Sequence, residues 1–578
     1  MEPQSQQLLM KEKAEETTRM SGSEAVMQSL LKEGTHIIFG YPGGAIMPIY
    51  DALHNYQKEL HHVLTRHEQG AIHAADGFAR VTGQPGVVFA TSGPGATNTV
   101  TGLANAMMDS IPLVVITGQV VSSLLGTDAF QETDVVGVTQ PVTKWNYQVC
   151  KAEDIPAAMA RAFYIARSGR PGPVVLDITK DAQIQELDFH YQPVDSIRSY
   201  TPESPIDFRQ IEDASSLINL SKKPLALVGQ GVILGNAEKE LLEFLEKSGI
   251  PAAWTLLGLS AMPTDHPQNV GMLGMHGNYG PNIKTNEADL IIAIGMRFDD
   301  RVTGDLSKYA TKAKVIHLEI DPAEINKNVH ADVPVLGNVK KTLPLLTDKI
   351  TQNNHSDWLK EFEACDRIEH TRIIEKEKAP AGKGMTMGEV ISKTSAAFKD
   401  DAIMVTDVGQ HQMMGARYFR FKQTRSVVTS GGLGTMGFGL PAAMGAQLGA
   451  PDRPVCVFVG DGGFQMTIQE LGTIFQTKIP VKIVLLNNNF LGMVRQWQEL
   501  FFDKRYASTE LESPDFQTIA KGYHVPSAKI TSRDNLDEAI QTMIETEGPY
   551  LLEVIVEKEG NVFPMVPSGA SVSDIRLE

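Results

Sequence analysis

The sequence predicts an α/β protein built from three doubly wound, parallel-sheet domains. The chain has 578 residues, more than a single hydrophobic core normally holds. Short apolar, β-branched runs that end in Gly, Asp or Asn alternate with amphipathic segments, which is typical of parallel sheets covered by helices on both faces. Two polar stretches, residues 185–207 and 350–384, interrupt this alternation and are expected to be connectors. We therefore expect domains at 21–188, 205–345 and 385–565.

Each expected domain contains several segments that predict a strand followed by a turn. Between them lie amphipathic segments such as 22–34 and 68–83, which predict helices. A Thr-Ser-Gly turn precedes a run of small residues at both 91–98 and 429–443, as domain duplication or chance agreement would produce. The expected strand-and-turn segments are 36–44, 86–95, 112–119 and 173–179 in the first domain, 224–231, 290–298 and 314–321 in the second, and 402–409, 454–462 and 481–489 in the third.

Composition and charge narrow the class of protein. The net charge of −17 opposes binding to nucleic acid, and no apolar run reaches the roughly 20 residues that a membrane helix needs. Three widely spaced cysteines indicate reduced thiols, so we expect a cytoplasmic protein. Residues 1–20 are polar and mixed in charge, which predicts a disordered tail and not a secretory signal.

Two strand ends of the third domain carry oxygen ligands. Asp461 lies between two glycines in the Gly-Asp-Gly run 460–462, and Asn488 follows a strand 27 positions further on. Ligands of open parallel sheets bind at the carboxyl ends of strands, and Mg²⁺ prefers carboxylate, carbonyl and phosphate oxygens. Each half alone is better explained as an ordinary Asp-Gly or Asn turn. The pair together predicts a magnesium and diphosphate site, with a helix after Gly462 and Gly463 offering free N–H groups.

These residues resemble the diphosphate motif of thiamine-diphosphate enzymes, and the resemblance extends over about 550 residues. Eight strings in family order make the chain similar to the large catalytic subunit of acetohydroxyacid synthase, also called acetolactate synthase, of the biosynthetic FAD-containing type. They are RHEQGAIHAADGFAR, TSGPGATN, GTDAFQETD, SGRPGPVVLDITKD, RFDDRVTG, VGQHQM, TSGGLGTMGFGLPAA and NNNFLGMVRQWQ. The resemblance implies that the three domains bind the pyrimidine, FAD and the diphosphate, in that order, and that residues 566–578 form a tail near the active site.

The resemblance also implies three cofactors and their residues. Mg²⁺ would be held by Asp461, Asn488 and the backbone carbonyl of Phe490. Thiamine diphosphate would contact Tyr41, Glu68, Pro94, Asn98, Gln131, Gly409, Gln410, His411, Gly434, Met436, Gly462, Gly463 and Met493. FAD, which the resemblance makes structural, would contact Arg170, Gly229, Gly231, Thr255, Leu256, Leu273, Gly274, Met275, His276, Arg297, Arg301, Val302, Glu319 and Ile320.

Four residues are implied to act in the reaction: Glu68, Gln131, Arg301 and Trp497. A carboxyl group hydrogen-bonded to N1′ of the cofactor's pyrimidine is needed to activate it, and Glu68 matches that position. From the bare sequence, Glu68 is equally well explained as a first-turn residue favoured by the helix dipole. Arg301 would bind the acceptor's carboxylate, and Trp497 would shape the acceptor pocket.

The implied reaction joins pyruvate to a second 2-ketoacid with loss of CO₂. Pyruvate as acceptor gives 2-acetolactate, and 2-ketobutyrate gives 2-aceto-2-hydroxybutyrate, on the way to branched-chain amino acids. The active site would lie across the interface of a homodimer or homotetramer, with a separate small regulatory subunit. A flavin-dependent pyruvate oxidase is the alternative enzyme, and a non-catalytic cofactor-binding regulator is the alternative of another class.

Overall fold

Three parallel sheets of six strands each organise the chain, as the sequence predicts. The computed structural model describes residues 18–578. Residues 1–17 of the predicted disordered tail lie outside the described residues. No helix within 18–578 is both long and apolar enough to cross a membrane.

The first domain carries eight strands and eight α-helices. Its strands are β1 (Thr18–Ser21), β2 (Ile37–Gly40), β3 (His61–Leu64), β4 (Gly86–Ala90), β5 (Leu113–Gln119), β6 (Trp145–Val149), β7 (Pro173–Thr179) and β8 (Glu186–Phe189), and its helices are α1 (Gly22–Lys32), α2 (Met47–Leu53), α3 (Glu68–Thr82), α4 (Pro94–Thr97), α5 (Val100–Asp109), α6 (Val135–Thr139), α7 (Ile155–Arg167) and α8 (Lys180–Ile184). The parallel sheet has the order β3-β2-β4-β5-β7-β6, in which β4, β5 and β7 are buried throughout because helices cover both faces.

A small antiparallel pair corrects the predicted boundaries at both ends of this domain. Strand β1 pairs with β8 from Thr18 opposite Phe189 to Ser21 opposite Glu186. Residues 18–20, expected in the tail, and 186–189, expected in the connector, therefore form backbone hydrogen bonds with each other. Composition alone could not reveal this because the pairing joins segments more than 160 residues apart.

The second domain places its six strands in the order β11-β10-β9-β12-β13-β14. All of its neighbouring strands are parallel. Its strands are β9 (Pro224–Val228), β10 (Ala252–Trp254), β11 (Asn269–Met272), β12 (Leu290–Ile294), β13 (Lys314–Glu319) and β14 (Val333–Leu336), and its helices are α9 (Phe208–Leu220), α10 (Gln230–Leu234), α11 (Glu238–Ser248), α12 (Tyr279–Thr285), α13 (Asp300–Thr303) and α14 (Val339–Lys349).

The segment expected to be a connector at 350–384 is largely helical. It contains α15 (Ser356–Glu369), a π-helical turn (His370–Ile374) and α16 (Glu375–Lys378). Helix α15 buries Trp358, Phe362 and Cys365, which have the i, i+4, i+7 spacing of an amphipathic helix. The high charge of this segment hid that spacing from the sequence analysis.

The third domain repeats the architecture with the order β16-β15-β17-β18-β20-β19. Its strands are β15 (Ile403–Thr406), β16 (Val427–Val428), β17 (Val455–Gly460), β18 (Lys482–Asn487), β19 (Ser527–Ile530) and β20 (Tyr550–Ile555), and its helices are α17 (Met387–Ala397), α18 (Gln410–Tyr418), α19 (Gly439–Gly449), α20 (Asp461–Met466), α21 (Leu471–Thr477), α22 (Gly492–Phe501), α23 (Phe516–Gly522) and α24 (Leu536–Glu545).

Helices α3 and α19 join the first domain to the third. A Cβ atom on Gly445 of α19 would lie 1.7 Å from the backbone oxygen of Ala74 in α3, so only glycine allows the two backbones to come this close. The small residues of both helices therefore serve an interface between domains within one chain.

The C-terminal residues 566–578 cross from the third domain onto the second. The amide of Val566 donates to the backbone oxygen of Met275 at 2.8 Å, and the amide of Asp305 donates to that of Ala570 at 2.9 Å. Val572 is buried in the core of the second domain. The segment thus packs beside α13, the helix that carries Arg301.

A buried ion pair between Glu369 of α15 and Arg417 of α18 links the second and third domains. Both side chains are at most 2% exposed. Glu369 also accepts from Asn278 Nδ2 at 2.9 Å and from the Tyr279 amide at 2.6 Å. Arg417 Nη2 donates to the carbonyls of His276 and Gly277 at 2.8 Å.

Glu369→Ala should lower the free energy of unfolding by about 3–5 kcal/mol, because it leaves the buried Arg417 without its counter-charge. Equilibrium denaturation followed by intrinsic fluorescence would measure the change. Glu363→Ala, at an exposed position of the same helix, is the matched control and should change stability little. Equal effects of the two substitutions would contradict the role of the buried pair.

Candidate active site

Asp461 and Asn488 lie at neighbouring strand ends, as their positions in the sequence predict. Strand β17 pairs in parallel with β18, and Gly460 stands opposite Leu486 at the carboxyl end of both. Asp461 and Asn488 directly follow this end of the sheet. Because parallel strands end at one edge, the two side chains lie at the same edge of the sheet.

The carboxylate of Asp461 is arranged to take a cation. Its Oδ2 accepts a hydrogen bond from Ser513 at 2.8 Å, whereas its buried Oδ1 has no hydrogen-bond partner in the described chain. Burial raises the pKa of Asp461, and the Ser513 hydrogen bond acts against that rise. An unpaired buried carboxylate oxygen is costly unless a bound group satisfies it.

Oxygen donors other than carboxylates would complete such a site. No group of three or more His, Cys, Asp or Glu side chains with metal-binding geometry occurs within residues 18–578. The Asn488 side-chain oxygen currently accepts from the amide of Phe490 at 3.2 Å, which keeps Asn488 and Phe490 next to each other. One carboxylate, one amide and a backbone carbonyl suit Mg²⁺, which keeps phosphate and water among its ligands.

Helix α20 begins at Asp461 itself, earlier than the sequence analysis expected. Gly462 and Gly463 therefore lie in the first turn of the helix and do not precede it. A Cβ atom on Gly463 would lie 2.4 Å from Oδ2 of Asp407, so a side chain there would collide with a buried carboxylate.

Asp407 follows β15 and organises the turns around this edge. Its carboxylate accepts from the amides of Val408 at 2.7 Å and Gly437 at 2.9 Å. Burial raises the pKa of Asp407 to about 7, and these backbone hydrogen bonds oppose the rise. The turn that contains Met436 is thus joined to the start of α18.

Gln410 and His411 open α18 at the same edge. Burial lowers the pKa of His411 to about 4, so its imidazole is neutral at pH 7. The buried Nε2 of His411 has no partner in the described chain. Gln410 Nε2 donates to Gln496 Oε1 at 3.0 Å and to the carbonyl of Gly560 at 2.8 Å, which ties α18 to α22.

A cavity of about 1130 Å³ extends from this edge into the second domain. Most predicted residues of the diphosphate side and of the flavin side line it together. Those of the diphosphate side are Gly409, Gln410, His411, Gly434, Met436, Gly462, Gly463, Asn488, Phe490, Met493 and Trp497. Those of the flavin side are Arg170, Gly231, Thr255, Leu256, Leu273, Gly274, Met275, His276, Arg297, Arg301, Val302, Glu319 and Ile320. Gly229 and Asp461 lie beside the cavity without being among its lining residues.

The flavin side of the cavity combines arginines with a strand-end carboxylate. Arg170 Nη1 pairs with Asp321 at 3.1 Å and Glu324 at 2.8 Å. Glu319, at the end of β13, accepts from the amides of Ile320 and Asp321, and burial raises its pKa to about 7 against those hydrogen bonds. Arginine guanidinium groups and a carboxylate at a strand end are the kinds of group that suit a dinucleotide.

The predicted pyrimidine-side residues lie in the first domain, where Glu68, Pro94, Asn98 and Gln131 lie close together. Glu68 begins α3 and is 8% exposed, and Asn98 Nδ2 donates to its Oε2 at 3.0 Å. A Cβ atom on Gly95 would lie 3.2 Å from Glu68 Oε1, and the backbone of Gln131 lies against Gly93. Tyr41 is 41% exposed. None of Tyr41, Glu68, Pro94, Asn98 and Gln131 is among the described residues that line the cavity.

Comparison with known proteins also finds three domains in the chain. Residues 20–138, 211–346 and 407–554 match, respectively, the N-terminal TPP binding domain, the central domain and the C-terminal TPP binding domain of the thiamine pyrophosphate enzymes. The acetolactate synthase large subunit of Corynebacterium glutamicum is 46% identical over 575 residues, with 96% of this chain and 90% of that protein covered. The isozyme 2 large subunit of Escherichia coli is 46% identical over 559 residues, with 96% and 99% covered. The acetolactate synthase large subunit of Lactococcus lactis is 44% identical over 556 residues, with 95% of each chain covered.

The chain belongs to the acetolactate synthase large-subunit family. The predicted family is therefore confirmed, as is the thiamine-diphosphate-enzyme fold. The individual roles assigned to site residues stay predictions.

Three residues that contact the candidate site, Asp407, Ser513 and Glu470, are not among those predicted from the sequence. Asp407 was detectable, because it follows a predicted strand as Asp461 does. Ser513 reaches Asp461 across 52 positions of sequence and carries no local signal. Glu470 accepts from the amide of Arg66 at 3.1 Å, and burial raises its pKa to about 7, so a carboxylate of the third domain holds the turn before Glu68.

Proposed function

We propose that this chain is the catalytic subunit of an acetolactate synthase. It condenses pyruvate with a second 2-ketoacid, pyruvate or 2-ketobutyrate, and releases CO₂. The products are 2-acetolactate and 2-aceto-2-hydroxybutyrate, in branched-chain amino-acid biosynthesis. The proposal rests on one observation: Asn488, Arg301 and Trp497 line the same cavity.

The residues at the Asp461 edge fit thiamine diphosphate bound through Mg²⁺. Asp461 Oδ1, the Asn488 amide oxygen and the Phe490 carbonyl would hold the metal, and the buried His411 Nε2, which has no partner in the described chain, belongs to a residue that lines the same cavity. When bound, thiamine diphosphate supplies the nucleophilic carbon and the electron sink that decarboxylation of a 2-ketoacid requires. Glu68 would hold a proton at N1′ of the pyrimidine, and Asn98 orients its carboxylate.

Arg301 and Trp497 would act on the acceptor. Arg301 lines the cavity, and its Nη1 lies 3.5 Å from Met275 Sδ. A guanidinium group can bind a carboxylate with two parallel hydrogen bonds. Trp497 lies on α22 and packs on Phe501, with ring centroids 5.3 Å apart. Its indole would form a wall for the alkyl group of the acceptor.

The flavin side of the cavity fits FAD. Arg170, Arg297 and Glu319 offer the donors and the acceptor that a dinucleotide needs. The proposed reaction moves no net electrons, so the flavin would have a structural role in this chain.

The separation of Glu68 from the cavity supports a shared active site. We infer that a second copy of the chain brings its own Glu68 cluster to this cavity, in a homodimer or homotetramer. Phe130, next to Gln131, is 88% exposed and fits a surface that a second copy covers. The relatives are named large subunits, which supports a separate small subunit. The three cysteines are free thiols, which fits the predicted cytoplasm.

Acetolactate formation from pyruvate, with thiamine diphosphate, Mg²⁺ and FAD present, tests the proposed function. Oxygen uptake without acetolactate would favour the alternative, a flavin-dependent pyruvate oxidase. Cofactor binding without any turnover of pyruvate would favour a non-catalytic regulator. The names of the relatives do not favour either alternative.

Trp497→Leu should lower the ratio of acetohydroxybutyrate to acetolactate by about tenfold when both acceptors compete, because shape contact with the extra methylene is lost. Product analysis at fixed ketoacid concentrations gives the ratio. Trp145→Leu, in the first domain and outside the cavity, is the control. An unchanged ratio in a folded and active Trp497→Leu variant would assign Trp497 to packing alone.

A further inference from the structure

Residues 108–110, at the end of α5 in the first domain, contact the other two domains at once. Met108 Sδ lies 3.7 Å from Arg297 Nη1 of the second domain. Asp109 accepts a hydrogen bond from the third domain. Ser110 accepts one from Arg170 of its own domain, and Arg170 in turn pairs with Asp321 and Glu324 of the second domain. Met108 and Ser110 both line the large cavity.

Asp109 holds the loop that leads to Met436. Its Oδ2 accepts from the amide of Gly431 at 3.0 Å and its Oδ1 accepts from that of Gly432 at 2.7 Å. The same loop continues through Gly434, whose φ of +69° is a left-handed conformation, and both Gly434 and Met436 line the cavity. Asp109 is 1% exposed, so water does not replace these hydrogen bonds.

A buried network holds the side chain of Asp109 in place. Arg80 Nη2 donates to Asp109 Oδ2 at 2.8 Å, and Arg80 Nε donates to Asp76 Oδ1 at 2.5 Å. Burial opposes the charge of Arg80, but the two carboxylates outweigh it and raise the arginine pKa. The guanidinium therefore stays charged and fixes the carboxylate that receives the loop amides.

The same network reaches the loop by a second route. Asn105 Nδ2 donates to Asp76 Oδ2 at 3.0 Å, and Ser430 Oγ donates to Asn105 Oδ1 at 2.5 Å. The amide of Thr435 in turn donates to Ser430 Oγ at 2.8 Å. The loop is thus held before and after Gly434 by side chains of the first domain and by its own Ser430.

Ser110 acts on the opposite side of the cavity. Its Oγ accepts from Arg170 Nε at 2.8 Å. Arg170 pairs through Nη1 with Asp321 and Glu324, which follow the Glu319 strand end. Ser110 therefore sets the orientation of an arginine that faces the flavin side.

We propose that Asp109 and Ser110 are positioning residues for two different cofactor sites. Asp109 fixes the loop 430–436 against the diphosphate, and Ser110 orients Arg170 toward the flavin. The inference rests on the proposed function, because it takes thiamine diphosphate and FAD as the occupants of the cavity. Neither residue is assigned a contact with the reacting atoms.

Two neighbouring substitutions separate the two effects. Asp109→Asn places an amide nitrogen where one oxygen now accepts, so it should raise the Kd of thiamine diphosphate by about tenfold or more and leave that of FAD within error. Ser110→Ala should do the reverse and raise the Kd of FAD about fivefold. Titrations of the full-length apoprotein, with Mg²⁺ present, would follow protein fluorescence for thiamine diphosphate and flavin fluorescence for FAD.

Asp109→Asn removes a charge next to the buried Arg80, so this variant can fail to fold. A second variant tests the same role of the loop without that change. Ser430→Ala leaves the Arg80–Asp109 pair intact and removes the acceptor for Thr435, so it should also weaken thiamine diphosphate binding selectively. The inference would be overturned if the variants weakened binding of both cofactors in equal proportion. It would also be overturned if Ser430→Ala or Asp109→Asn weakened binding of FAD alone. Wild-type protein that binds neither cofactor would overturn the proposed function, and the inference with it.

Discussion

Glu68→Gln should slow exchange of the C2 proton of bound thiamine diphosphate by about two to four orders of magnitude. The amide cannot share a proton with N1′ of the pyrimidine, whereas a carboxyl group can. The substitution keeps the size of the side chain and leaves an oxygen to accept from Asn98, so the fold should persist. Hydrogen–deuterium exchange followed by NMR measures the rate directly and does not depend on turnover.

Glu59→Gln is the matched control for this prediction, because Glu59 is an exposed glutamate of the same domain. Its exchange rate should equal that of the wild type. Near-normal exchange in Glu68→Gln would remove Glu68 from the catalytic role and leave it as a first-turn residue of α3.

Asp461→Ala should weaken binding of Mg²⁺ and thiamine diphosphate together, by about a hundredfold or more, since loss of even an outer partner of a metal ligand costs 10- to 100-fold. The reason is that Asp461 offers the one carboxylate oxygen at this edge that lacks a partner in the described chain. Fluorescence titration of the cofactor at several Mg²⁺ concentrations would measure the effect. In the variant, added Mg²⁺ should raise cofactor affinity much less than in the wild type.

Asp452→Ala, at an exposed turn of the same domain, is the control and should bind both groups normally. Wild-type affinity in Asp461→Ala would show that the metal assignment is wrong. The Glu68→Gln and Asp461→Ala variants together also test the shared site: mixed subunits of the two should recover partial activity. A hybrid dimer keeps one site in which both residues are intact, whereas sites built within one chain would recover nothing.

The position of Asp461 and Asn488 at one edge of the sheet was largely predictable because its signals are local. A parallel strand that ends in Gly-Asp-Gly positions Asp461 by backbone geometry alone, and the same rule applies to Asn488. Asp407 follows a strand in the same way and could have been found by the same argument. The helical nature of residues 356–369 was also encoded, in the spacing of Trp358, Phe362 and Cys365, although the charge of the segment obscured it.

Contacts between distant segments could not be predicted in this way. Ser513 beside Asp461, Glu369 beside Arg417 and the pairing of β1 with β8 each join residues that no periodicity relates. The amide of Gly432 reaches Asp109 across 323 positions, and no pattern in either segment indicates the other. Such pairs are selected by the way whole domains pack.

The sequence by itself determined the α/β class, the three-domain organisation and the placement of Asp461 and Asn488 at neighbouring strand ends, because period, turn chemistry and motif spacing act over short stretches of chain. The tertiary structure alone decided that the flavin-side and diphosphate-side residues line one cavity and that Glu68 lies outside it. It also decided that the small residues of α3 and α19 form an interface between domains. The physical reason is that burial and backbone approach depend on which surfaces meet in the folded chain, and a linear pattern specifies each surface without specifying its partner.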